Sequence, residues 1–120
     1  MTIHILFPAI YALIVGIGMI GQWTFFYFQN EIPELVTEPI RIGFHLTAEL
    51  ITAIMLMTSG FAVLFGWKFS DWLFPLSIGM LFYTAIVSPG YFAQKGQWPF
   101  VWMFAVIILL GLISLFFAII

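Results

Sequence analysis

The sequence predicts an all-α integral membrane protein in which four transmembrane helices form an antiparallel bundle. Hydrophobic residues make up 64% of the 120 residues and charged residues only 7%, and the mean hydropathy is +1.19. Soluble domains are roughly half apolar and about one quarter charged. The apolar residues fall into four stretches, each close to the roughly 20 residues that span a bilayer. Short connections between these stretches predict that consecutive helices return beside one another.

The first helix is expected over residues 7–28 and the second over residues 39–65. The first ends in an aromatic run from Trp23 to Phe28, which suits a membrane interface. The second opens with Pro39, and proline is well tolerated in the first turn of a helix. These two stretches are separated by an acidic loop.

The third helix is expected over residues 71–88 and the fourth over residues 99–120. A short turn connects the second helix to the third. Pro89, followed by Gly90, is expected to end the third helix, because proline lacks a backbone N–H and glycine weakens a helix. Residues 1–120 therefore form a single transmembrane domain.

Composition and charge exclude several classes of function. The chain has no cysteine, so disulfides, thiol chemistry, iron–sulfur clusters and cysteine-ligated zinc are excluded. A net charge of −2 with only three lysines and arginines excludes a nucleic-acid surface. The amino terminus lacks the basic region of a signal peptide, so the first apolar stretch is expected to be retained.

The location predicted from these features is the cell membrane, plasma or inner, with several membrane passes. Lysine and arginine are nearly balanced between the two ends of the helices. The acidic first loop favours an outer position for that loop, which would leave both termini in the cytoplasm.

The second helix carries a polar face on otherwise apolar sequence. On a helix that turns about 100° per residue, the polar residues fall within an arc of roughly 80°. Ionisable groups at the centre of a bilayer cost roughly 2.5 to 3.5 kcal/mol each, which makes them candidates for function. The polar face is therefore expected to point at protein or water. Its members are Glu38, Arg41, His45, Glu49 and Thr52.

Depth along the helices predicts which other side chains lie near this face. At a rise of about 1.5 Å per residue, Gln22 and His45 both lie roughly 9 Å below the first loop. The functional interpretation is a pocket halfway into the membrane that opens toward the first and third loops. The alternative is an internal hydrogen-bond network that sets helix packing. The predicted ligand-binding residues are Gln22, His45, Glu49, Tyr83, Thr84 and Trp102.

The pair His45 and Glu49 has the four-residue spacing of metal ligands on one helical face. Such sites need further ligands from other helices, and no other carboxylate or histidine lies within a predicted span. His4 enters the membrane from the opposite side, which disfavours a haem with two histidine ligands. No metal or haem is expected within one chain, and only a symmetric oligomer would bring together enough ligands.

Gly16, Gly18 and Gly21 have the spacing of the dinucleotide-binding fingerprint. That motif requires a preceding strand and an exposed helix N-terminus, whereas this run lies inside a predicted span. Close helix packing is the better interpretation, and Ala12 with Gly16, four residues apart, suits it best.

The segment Ala48-Glu49-Leu50 is followed by a long apolar run, a short turn, a third apolar span and a Trp-Pro pair before the last helix. This pattern resembles the DoxX and DoxX-like family of small four-helix membrane proteins. The resemblance covers roughly residues 40–120.

The resemblance implies a four-helix bundle and a range of roles. Members have been associated with quinone-linked sulfur oxidation as small membrane subunits, with membrane oxidoreductase complexes and, in distant animal relatives, with receptor chaperoning. Many relatives carry a basic residue where this chain has Gln22 and Trp23. Of the residues of that family, only Glu49 is therefore carried over.

The leading hypothesis is an accessory subunit or assembly partner that binds an apolar ligand, a quinone or a lipid, near Glu49 and performs no chemistry itself. Carboxyl, imidazole and amide groups can hydrogen-bond a quinone, while aromatic side chains pack its ring. Expected partners are membrane lipids and either a membrane protein complex or further copies of the chain.

Two other functions remain open. In one, the protein is a transporter or channel protomer in which His45 and Glu49 pass protons or bind a cation. In the other, the role is purely structural and the polar face serves helix packing.

Overall fold

The computed structural model describes residues 2–30 and 32–119. Residues 1, 31 and 120, the last of which belongs to the predicted fourth helix, lie outside the described residues. Within the described ranges every regular secondary-structure element is a helix and none is a strand, which confirms the all-α prediction. Four helices are long and apolar enough to cross a membrane, and a fifth is a single turn in the first loop. The helices are α1 (Ile3–Phe28), α2 (Glu34–Thr37), α3 (Pro39–Leu64), α4 (Ser70–Gln94) and α5 (Trp98–Ile119).

Helix α4 is longer than its sequence predicts. It continues through Pro89 and ends at Gln94 rather than at residue 88. Proline removes only one backbone hydrogen bond from a helix, whereas a chain that left the helix among apolar side chains would strand several backbone polar groups. The additional turns carry Phe92, which is buried. Helix α1 likewise begins earlier than predicted, at Ile3 rather than at residue 7.

Helices α3 and α4 end in the same kind of tight turn. Each is followed by a glycine with a positive φ, 71° at Gly66 and 74° at Gly96. In both turns the residue after the glycine donates its backbone N–H to a carbonyl of the last helical turn, at 2.9 Å. A residue with a Cβ rarely adopts this conformation, so glycine permits the abrupt stop. The next helices can therefore start within a few residues, at Ser70 and Trp98.

Each long helix packs against two others: α1 and α4 both contact α3 and α5. Two glycines allow α1 and α3 to approach closely. A Cβ added at Gly16 would lie 2.7 Å from Met57 Cγ and 2.9 Å from the Ala53 carbonyl oxygen. A Cβ added at Gly60 would lie 2.8 Å from Leu13 Cγ. No larger side chain fits at either position without moving its neighbours.

The predicted packing role of Ala12 and Gly16 is confirmed. Ala12 is fully buried, and Gly16 has no room for a Cβ. At Gly18 and Gly21, by contrast, an added Cβ would meet nothing within 4 Å. The three glycines of the run therefore do not act together, and only Gly16 serves the contact between helices.

The buried core is formed by side chains of α1, α3 and α4, and α5 packs against it. Around it, large apolar side chains are exposed on the outer surface of every long helix, among them Ile14, Phe44, Ile86 and Leu109. The buried cluster consists of Tyr11, Ala12, Leu56, Phe74, Ile78 and Leu81.

Candidate functional site

The polar face of α3 passes from the surface into the interior along the helix. At its start, Arg41 Nη1 lies 3.2 Å from Glu38 Oε2, and both side chains are exposed. His45, one turn further on, is partly buried, and Glu49 and Thr52 are buried. The face therefore begins with an exposed ion pair and ends with a carboxyl inside the protein.

Glu49 is the only residue of this face whose side chain reaches another helix through a hydrogen bond between side chains in the described residues. Its exposed fraction is 6%. The hydroxyl of Thr84, on α4, donates to Glu49 Oε1. One turn further along α4, Ser88 Oγ lies 3.0 Å from Thr84 Oγ1. Two hydroxyl groups on one face of α4 thus form a short chain that leads to the carboxyl.

His45 connects the same carboxyl to α1. Its Nε2 atom lies 3.6 Å from Glu49 Oε1, and its ring meets Trp23 edge to face, with centroids 5.6 Å apart. Helices α1, α3 and α4 therefore meet at Glu49. The spacing of four residues on α3 places the imidazole directly above the carboxyl.

Next to Glu49 lies a cavity of about 610 Å³, here called the main cavity. Its walls come chiefly from α1, α4 and α5. Most of the lining side chains are aliphatic or aromatic, and they include Phe7 and Leu110 at one end and Phe92 and Phe100 toward the other. The polar residues that line it, apart from Tyr11, are Gln22, Glu49, Thr84 and Ser88.

Tyr11 also lines the main cavity, but its hydroxyl is already paired. It donates a hydrogen bond of 2.6 Å to the backbone carbonyl of Ile107 on α5. Gly111, one turn further along α5, makes this contact possible, because a Cβ there would lie 2.8 Å from the tyrosine hydroxyl. The polar groups left to meet a ligand are thus those around Glu49.

A second cavity of about 330 Å³, here called the side cavity, lies between α1 and α3. It shares Met19, Trp23 and Glu49 with the main cavity, so these three residues stand between the two. From there it extends past Tyr27 to Ile32 in the first loop. Glu49 consequently lines both cavities.

Three of the six predicted ligand-binding residues, Gln22, Glu49 and Thr84, line the main cavity. His45 touches Glu49 but is not among the described residues that line either cavity. Tyr83 and Trp102 are 74% and 70% exposed, and the structure does not bring them to the cavities. A part for these two residues in binding stays a prediction.

Ser88 and Trp23 were not among the predicted site residues, and the aromatic walls were expected without their residues being named. Ser88 follows Thr84 by four residues, which places both on one face of a helix. Because the third helix was expected to end at residue 88, this spacing did not identify Ser88 as a site residue. Phe92 and Phe100 stack with ring centroids 4.6 Å apart, a contact between α4 and α5 that follows from the extra length of α4.

Within residues 2–30 and 32–119, no group of three or more histidine, cysteine or acidic side chains is placed to hold a metal ion. His4, far along α1 from Trp23, packs its ring against Phe117 on α5 instead, with centroids 5.5 Å apart.

Comparison with known proteins gives a family but no individual relative. No curated protein and no solved structure matches the chain. The resemblance to the DoxX and DoxX-like family is not tested by these comparisons and stays a prediction. Residues 4–120 match the family described as a domain of unknown function, DUF8058. Because this match covers nearly the whole chain, the protein belongs to the DUF8058 family.

Proposed function

We propose that this protein is a small polytopic membrane protein that binds an apolar ligand, a quinone or a lipid, in the main cavity beside Glu49. One observation carries the proposal: a cavity of about 610 Å³ has apolar walls and a small set of polar groups gathered around a buried carboxyl. Sites for small molecules have volumes of about 300 to 1,000 Å³ and this kind of lining.

The proposal places the four long helices across the membrane as an antiparallel bundle. Their length and apolar composition support it, as do the large apolar side chains on the outer surface, which lipid chains would cover. The tight turns after α3 and α4 suit helices that alternate in direction. We infer the plasma or inner membrane as the location, with both termini in the cytoplasm.

A quinone would use both parts of the main cavity. Gln22 carries an amide group that can donate hydrogen bonds to a carbonyl oxygen, and the aromatic walls can pack a ring. Along α1 the lining runs from Phe7 to Gln22, about 22 Å at the helical rise, which leaves room for an apolar tail. A lipid would place its polar head and its chain in the same two parts.

In this proposal the chain performs no chemistry on the ligand and acts as an accessory subunit or assembly partner of a membrane complex. Its partners would be membrane lipids and either other membrane proteins or further copies of the chain. The resemblance to the DoxX and DoxX-like family supports a redox complex as the setting.

A second candidate function is the passage of protons or cations by His45 and Glu49. The observation that favours it is the side cavity, which extends from Glu49 to Ile32 in the first loop. A path across the membrane would also require an exit beyond Glu49, through the main cavity. Proton flux into liposomes that is equal for wild type and Glu49→Gln would refute this candidate.

A purely structural role is the third candidate, and the hydrogen bond from Thr84 to Glu49 favours it, because it joins α4 to α3. On this interpretation, Glu49→Gln would lower the melting temperature without changing any property that depends on a ligand.

The deciding experiment is the identification of bound small molecules. The protein is purified in mild detergent and extracted, and the extract is analysed by mass spectrometry for wild type, Glu49→Gln and Glu38→Gln. Glu38 is the matched control, because its carboxylate stands at the start of the same polar face, just before α3, but is exposed. We expect a stoichiometric quinone or lipid in wild type and in Glu38→Gln, and its loss in Glu49→Gln. Empty protein in all three samples would refute the proposal.

A further inference from the structure

The charges around the main cavity are unequal in sign. Among the described residues that line it, Glu49 is the only acidic one, and none is a lysine, arginine or histidine. The whole sequence has three lysines and arginines. His45 is not among the described residues that line the cavity, but its Nε2 lies 3.6 Å from Glu49 Oε1.

The three permanent cations have other surroundings. Arg41 is exposed and paired with Glu38. Lys95 lies over the ring of Tyr91, with Nζ 4.2 Å from its centroid, on the surface beyond α4. Lys68 is exposed in the turn that connects α3 to α4. None of these side chains offers a partner to an anionic group in the main cavity.

The cavity does offer partners to a positive charge. The hydroxyl of Thr84 donates to Glu49 Oε1, and the Glu49 carboxyl, which lines the cavity, is a group that can pair with a cation. The aromatic side chains of Trp23, Phe92 and Phe104 line the same space, and an aromatic ring that turns its face to a cation attracts it, the more strongly where water is excluded. An anionic head group would instead meet the acidic side chain of Glu49 and apolar walls, and like charges repel strongly in a space of low polarity.

We propose that the main cavity selects its occupants by charge, so that lipophilic cations bind and lipophilic anions are excluded, with Glu49 as the specificity-determining residue. The inference rests on the proposed function, because it requires that a ligand enters this cavity. It adds the class of ligand: an amphiphile whose polar part is cationic is preferred to one that carries a carboxylate or a phosphate.

Two hydrophobic ions of nearly equal shape and opposite charge, tetraphenylphosphonium and tetraphenylborate, provide the test. Binding of each is measured by isothermal titration calorimetry in a neutral detergent, with the intact protein and with detergent alone as the blank. In wild type, we expect tetraphenylphosphonium to bind and tetraphenylborate to add nothing to the detergent blank. In Glu49→Gln, the affinity for tetraphenylphosphonium should fall by about tenfold or more, as expected for the loss of one charge at close range.

Two further variants separate charge from folding. Glu49→Asp keeps the carboxylate, so it should retain much of the cation binding even where Glu49→Gln folds poorly. Glu38→Gln removes an exposed carboxylate from the start of the same polar face, just before α3, and should bind both ions as wild type does. Equal affinity of wild type for the two ions, or a cation affinity unchanged in Glu49→Gln, would overturn the inference.

Failure of this inference can be told apart from failure of the proposed function. If neither ion binds but a neutral quinone or lipid is extracted from wild type and lost in Glu49→Gln, charge selection is wrong and the ligand cavity stands. If neither ion binds and nothing is extracted, both proposals fall.

Discussion

The hydroxyl of Thr84 on α4 donates a hydrogen bond to the buried carboxyl of Glu49 on α3, across a separation of 35 residues in sequence. The bond lies where both cavities reach the carboxyl. It therefore couples two features of the molecule: the contact between α3 and α4, and the orientation of the only acidic group among the described residues that line the main cavity.

Substitution of Thr84 by valine, which keeps the shape of the side chain and removes the hydroxyl, is expected to destabilise the protein. We expect a loss of about 1 to 2 kcal/mol, because a buried carboxyl loses a donor while bonds between membrane helices contribute modestly on average. Thermal unfolding in detergent measures the effect.

The matched control for that variant is Thr47→Val. Thr47 is exposed, and its hydroxyl donates to the carbonyl of Gly43 on its own helix, at 2.7 Å. The control should unfold close to the wild-type temperature. If both valine variants lose the same free energy of unfolding, the bond between Thr84 and Glu49 contributes no more to stability than a hydrogen bond within one helix.

Depth in the membrane could be predicted from sequence, but the direction of each side chain could not. Counting residues from the helix ends was enough to place Gln22 and Thr84 at similar depth, with Glu49 one turn deeper than His45, and all three line the main cavity. Tyr83 lies at the same level yet is exposed, because neighbouring residues on a helix point about 100° apart. Which of the two faces inward depends on how α4 is rotated against its neighbours.

Rotation is set by packing details that periodicity in one helix does not reveal. Gly16 and Gly60 decide how closely α1 and α3 approach, and their significance appears only when the helices are paired. Trp102 illustrates the same limit on α5, where almost every residue is apolar, so the sequence offers no contrast between an inner and an outer face.

Gly60→Ala is expected to destabilise the contact between α1 and α3. The added methyl group would lie 2.8 Å from Leu13 Cγ and 3.0 Å from the carbonyl oxygen of Ala9, so the helices must move apart. A cost of about 1 to 3 kcal/mol is expected for such overpacking, measured as a lower melting temperature.

The control for this substitution is Gly79→Ala on α4. A Cβ at Gly79 would meet nothing within 4 Å, and alanine favours a helix over glycine by about 1 kcal/mol. The control should therefore be as stable as wild type or more so. A stabilising effect of Gly60→Ala would contradict the close contact between α1 and α3.

Tyr11→Phe tests the hydrogen bond that joins α1 to α5. Removal of the hydroxyl breaks the bond of 2.6 Å to the carbonyl of Ile107, and a loss of about 1 kcal/mol is expected. Tyr83→Phe removes the same group from an exposed side chain and should leave the melting temperature unchanged. If Tyr83→Phe instead lowers the amount of extracted ligand, Tyr83 takes part in binding as the sequence predicts.

Gly18→Leu tests the main cavity without touching its polar groups. Gly18 lines the cavity, and an added Cβ there meets nothing within 4 Å, so a leucine side chain can extend into the space while the helices keep their positions. Leucine also favours a helix over glycine. We therefore expect a protein of wild-type or higher melting temperature that no longer retains a quinone or lipid through purification.

Gly21→Leu is the matched control, because Gly21 lies on the same helix, has equal room for a Cβ and is not among the described residues that line the main cavity. It should keep the ligand. Loss of ligand in Gly18→Leu alone would place the ligand in the main cavity rather than on the outer surface. Retention of ligand in both variants would place it elsewhere, because a filled cavity cannot hold it, and the polar groups around Glu49 would then serve the packing of α3 and α4.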